Sequence, residues 1–79
     1  MPRYYFHLDR TGGRLADESG MTLPDAEAAW YQAVRSAREL IRGELTLGGR
    51  WEDQSIVIAD ERGAAIDHVP LRDVARYAM

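Results

Sequence analysis

Two histidines and a scatter of carboxylates are the side chains here that could do chemistry. His7 lies near Asp9 and His68 follows Asp67, and all four are metal-ligand types. Adjacent acids at Asp17-Glu18, Glu52-Asp53 and Asp60-Glu61 are residue types that could divide acid and base work, and Ser19, Ser36 and Ser55 offer hydroxyls. Each set lacks what its chemistry needs. Neighbouring acids on loop-like stretches are solvated turn residues unless something places two of them in a pocket. No serine has a base partner at a readable spacing, and Thr11-Gly12-Gly13-Arg14 is too short for a phosphate-cradling loop. The two His/Asp pairs fall on strands that the topology argued below does not make neighbours. No catalytic residue, metal site or cofactor is therefore expected.

What is missing narrows the choice further. The 79 residues include no cysteine, which excludes disulfides, thiolate nucleophiles and cysteine-ligated zinc within the chain. All ten basic residues are arginines, so neither a Walker-type lysine nor a Schiff-base lysine exists. A net charge of −3 opposes nonspecific binding to nucleic acid, which depends on surplus positive charge. Hydrophobic content of 46% with 29% charged residues suits a folded domain. The chain reads as one domain over residues 1–79, with no apolar run of membrane-spanning length and no secretory leader, so a cytoplasmic location is expected.

The elements follow from periodicity and turn chemistry. In residues 3–9, Tyr4, Phe6 and Leu8 alternate with Arg3, Tyr5, His7 and Asp9, which predicts a strand with a core face and a second, partly aromatic face. Gly12-Gly13 permits a hairpin turn into a short strand over 14–17, and residues 18–24 read as a loop. A helix is predicted over 25–46, with Asp25 as its N-cap and the Gly48-Gly49 pair as its latest stop. Its apolar stripe of Ala26, Ala29, Trp30, Ala33, Val34, Ala37, Leu40, Ile41 and Leu45 should pack on a sheet, with Trp30 as the largest buried surface. Strands over 55–59 and 64–69 flank a turn ending at Gly63, and Leu71 and Val74 should face inward from a short C-terminal helix.

These elements combine into an α+β two-layer sandwich, β-β-α-β-β with a short C-terminal helix. Its antiparallel sheet has the order 2-1-3-4, and one long helix crosses one face. The first strand is then central. Its outer residues Arg3, Tyr5 and His7 should join Val57 and Ala59 of the third strand, with Ala65 and Val69 added from the fourth, on a sheet face that no helix covers. Uncovered apolar faces of this kind mark interaction surfaces, so Arg3, Tyr5, His7, Val57 and Ala59 are the first interface candidates. The exposed helix side carrying Arg35, Arg38 and Arg42 is the second.

Two resemblances bear on this reading. The opening MPRYYFHL, the Asp17-Glu18-Ser19-Gly20 and Leu23-Pro24-Asp25 steps, the alanine-rich helix and the run from Ile56 to Gly63 resemble a family of small bacterial proteins known as a domain of unknown function. More loosely, the tyrosine-rich first strand, the glycine turn, Leu23-Pro24-Asp25 and Glu27-Ala28-Ala29 are similar to the N-terminal half of HicB-type antitoxins. That similarity implies a helix on an antiparallel sheet and a small toxin as partner. The few residues beyond the fourth strand leave no room for that family's DNA-binding segment. The expectation is a non-enzymatic interaction module that binds a protein partner or pairs as a homodimer through the open sheet face or an edge strand. Nucleic acid and membrane are not expected as partners. The alternatives are an antitoxin-like protein, or a small enzyme or ligand binder whose site is completed across a dimer interface.

Overall fold

In the computed structural model, which describes residues 1–43 and 51–78, an antiparallel sheet carries two helices on one face. Strand β1 (Arg3–Arg10) turns through Gly12, at φ 96°, into β2 (Gly13–Leu15). The next segment contributes a two-residue strand, β3 (Met21–Thr22), that pairs with the start of β1. Helix α1 (Ala26–Gly43) follows, then a 3₁₀ turn at Trp51–Asp53, strands β4 (Ser55–Ala59) and β5 (Ala65–Pro70), and helix α2 (Leu71–Ala78). The sheet runs β2-β1-β4-β5 with β3 off that path, so it has five strands where four were expected. The difference lies in residues 21–22, read from sequence as loop. Two residues are too few to show an alternation, and their pairing is imposed by the loop that precedes them.

Local chemistry explains the element ends. The Asp25 carboxylate accepts from the Ala28 amide at 2.8 Å, which caps α1 and satisfies one of the amides left over at a helix start. In the β4–β5 turn, the Asp60 carboxylate accepts from the amides of Arg62 and Ala64, and Gly63 takes φ 87°. The expected helix residues 44–46 and the Gly48-Gly49 stop lie outside the described residues.

The core joins Tyr4, Ile56, Ile58 and Val69 of the sheet to Ala29, Ala33 and Ala37 of α1 and Leu71 and Val74 of α2, with Phe6, Leu8, Val34, Leu40 and Trp51 partly buried around it. Ala29, Ala33 and Ala37 have no exposed surface, so the helix backbone lies close against the strands, whereas Ala26, at the first turn of the expected stripe, is exposed. Gln54, just before β4, is also buried, and neither its side-chain Nε2 nor its Oε1 has a hydrogen-bond partner among the described residues.

Three expectations are corrected. Trp30 is 41% exposed instead of being the main buried surface, because the stripe that meets the sheet centres on Ala29, Ala33 and Ala37 and leaves Trp30 at its margin. Val69 belongs to the core: it pairs with Ile56, and cross-strand partners share a face. Val57 and Ala59 do lie on the outer face but are buried, at 8% and 2% exposure, so they offer little surface to a partner.

Candidate functional site

The register brings four of the first five candidates together. Tyr5 pairs with Ala59 and His7 with Val57, and β5 continues these rows with Ala65 and His68. Small β4 side chains are thus sunk between residues on both flanking strands. The Tyr5 and His7 rings are near-parallel, with centroids 6.5 Å apart.

A loop latched onto β1 occupies part of this region. One oxygen of Asp17 accepts from the Phe6 amide at 3.1 Å, and the other accepts from the amides of Ser19 and Gly20 at 3.1 and 3.2 Å. The Asp17 amide itself donates to His7 Nδ1 at 3.0 Å, so the neutral imidazole carries its proton on Nε2. Arg3 Nη1 donates to the Ser19 carbonyl at 2.7 Å. Gly20, at φ 73°, lies so close to β1 that a Cβ there would come within 2.9 Å of Arg3 Cγ, the Tyr4 carbonyl oxygen and Tyr5 Cε2. Burial raises the Asp17 carboxyl, but the amides of Phe6, Gly20 and Ser19 outweigh it and hold the pKa below the usual aspartate value. A carboxylate held by three main-chain donors is a weakened base. Arg3 and His7 are therefore committed to internal bonds, and the Asp17-Glu18-Ser19-Gly20 step and the Arg3-to-His7 strand form one structural unit. Sequence reading treated them separately, although the αL-prone glycine three residues after an aspartate was a visible sign of a side-chain-bonded turn.

Asp9, next to this unit on β1, is occupied as well. Asp9 pairs with Arg14 Nε at 2.5 Å across the β1–β2 hairpin, and this hydrogen bond lowers the Asp9 pKa and raises that of Arg14. His7 and His68 flank Val57 from opposite strands, two strand spacings or roughly 10 Å apart in the sheet. Among the described residues no three His, Asp or Glu side chains are grouped to hold a metal ion, and no helix is long and apolar enough to cross a membrane.

A second region offers more to a partner. Trp30, Tyr31, Val34, Arg35 and Arg38 of α1 form one wall of an open groove of about 690 Å³, and the end of β5 with Asp73 and Val74 of α2 forms the other. Tyr31 is 62% exposed and meets Trp30 edge-on, with ring centroids 5.1 Å apart. Two of the second set of candidates, Arg35 and Arg38, line this groove, whereas Arg42 lies beyond it on the same exposed side of the helix. The sequence reading placed the arginines but missed the groove, because Trp30 was assigned to the core.

Strand β5 borders this groove and is a sheet edge, yet at the groove end, His68 to Pro70, it offers no free outward donor. The Leu71 amide donates to the Gln54 carbonyl at 2.9 Å, so by antiparallel alternation the polar groups of His68 and Pro70 point away from β4. The His68 amide is taken by the Asp67 carboxylate at 2.8 Å, and Pro70 has no amide hydrogen. A register irregularity between Ile58 and Ala59 further breaks the ladder. Such features guard sheet edges against strand addition.

No curated protein and no solved structure matches the chain. A family model described as Domain of unknown function (DUF6894) matches residues 3–72, a span running from the first residue of β1 into α2 and including the latch and all of the groove wall except Asp73 and Val74. The chain belongs to that family.

Proposed function

We propose that this protein is a small non-enzymatic interaction module that holds a segment of a protein partner in the groove between α1 and the β5–α2 corner. The observation that carries the reading is the pair of exposed aromatic rings, Trp30 and Tyr31, on the wall of an open cavity beside Arg35 and Arg38. Trp, Tyr and Arg are the residue types that dominate binding energy at protein interfaces, and a concave apolar floor lets them exclude water around a partner side chain. The open sheet face supports docking less well, since Val57 and Ala59 are buried and Arg3 and His7 hold the latch. Strand addition at β5 is disfavoured by its capped donors. A second copy docked with α1 against α1 would set the Arg35 and Arg38 pairs against each other, so the reading takes a different chain as partner.

The test is selection of unbiased linear peptides on the intact protein, followed by binding to a Trp30→Ala/Tyr31→Ala variant whose circular dichroism matches the parent. Peptides enriched on the parent should bind the variant at least about tenfold more weakly, as expected for losing interface anchors. Absence of enrichment, or equal binding to the variant, overturns the reading.

A further inference from the structure

Resting on that reading, we infer that the partner segment is an acidic linear peptide with an apolar anchor, held by side chains and not by strand pairing. Tyr31, Arg35, Arg38 and Arg42 follow at spacings of four, three and four residues, which places them in one line along α1. All four are exposed, and the line faces away from Ala29, Ala33 and Ala37. From Tyr31 to Arg42 the helix rises about 16 Å, the reach of roughly five extended residues.

The line carries positive charge on a chain that is acidic overall. The net charge is −3, yet three guanidinium groups follow one another here. The nearby acids are Glu27 at the start of the line, Glu39 on its flank and Asp73 across the groove. Beyond Tyr31 the line itself is purely cationic. An acidic segment is repelled by the chain as a whole and attracted to this side, which favours one docking orientation. Guanidinium groups bind carboxylates through paired hydrogen bonds, a geometry that suits Asp and Glu side chains spaced along a peptide. The anchor position falls at the Trp30, Val34 and Val74 part of the groove. The capped His68 amide and Pro70 withhold main-chain donors from the segment, which disfavours ladder pairing and leaves recognition mainly to its side chains.

The test uses the composition of the peptides selected on the intact protein, repeated on an Arg35→Gln/Arg38→Gln/Arg42→Gln variant. The expected pool has an aliphatic or aromatic anchor flanked by Asp or Glu within about five positions. The variant should keep the anchor preference and lose the acidic one. A consensus peptide should bind the parent about tenfold more tightly than its Glu→Gln counterpart, and the gap should close at high salt. A pool with an anchor but no acidic bias overturns this inference and leaves the groove reading standing, whereas no pool at all overturns both. Displacement of the consensus peptide by a single-stranded oligonucleotide at lower concentration than by the peptide itself overturns it in favour of nucleic acid.

Discussion

Replacing Asp17 with alanine removes the acceptor for three main-chain amides while leaving every core side chain in place. The Ser19 amide is in an exposed bond and can turn to water at little cost, whereas the bonds from Phe6 and Gly20 are partly buried. At roughly 0.5–1.5 kcal/mol net for each of those two, Asp17→Ala should cost about 1–3 kcal/mol. For a domain of this size each kcal/mol moves the melting temperature by about 4–8 °C, so a fall of roughly 8–16 °C is expected at the midpoint of that range. Thermal and urea unfolding followed by circular dichroism measure it. The pH dependence has a definite sign. The folded-state pKa of Asp17 lies below the ordinary value, so its contribution is present above about pH 4 and is lost as pH falls through the folded value. Asp9, lowered by Arg14, acts in the same direction, so Asp17→Asn should flatten the acid limb in part and Asp9→Asn/Asp17→Asn should flatten it further. An Asp17→Ala protein that melts within about 2 °C of the parent, with an unchanged acid limb, would refute the latch as a stabilising unit.

Gly20→Ala should destabilise by more than about 1 kcal/mol in urea unfolding, since it combines positive φ with a Cβ 2.9 Å from β1 atoms, and a neutral result would mean the loop does not sit there. Trp30→Ala should cost well under the roughly 3–5 kcal/mol of a buried aromatic, because much of the ring is exposed; near-complete unfolding would return Trp30 to the core. Asp67→Ala frees the His68 amide at the β5 edge, so sedimentation should show concentration-dependent association above the parent, and unchanged sedimentation would show that the carboxylate guards nothing.

Local pattern in the sequence determined the alternation of β1, the glycine turns, the Asp25 cap and the alanine-centred face of α1, because each is set by residues within one or two turns of chain. It also determined what chemistry the chain lacks, since absent cysteine and lysine need no fold to interpret. Only the tertiary structure decided where each face ended. Trp30 lies at the edge of the helical stripe, and whether an edge position is covered depends on how near α1 sits to the sheet and on what α2 and β5 place beside it. Val57 and Ala59 alternate outward as their positions dictate, but their burial comes from neighbours on β1 and β5 that are distant in sequence. Asp17 reads as the end of the second strand, which stops at Leu15 in the fold, and only the chain reversal brings it to the Phe6 amide, eleven residues back. Hydrogen bonds and burial between such distant residues are properties of the assembled fold, and no window of local sequence contains them.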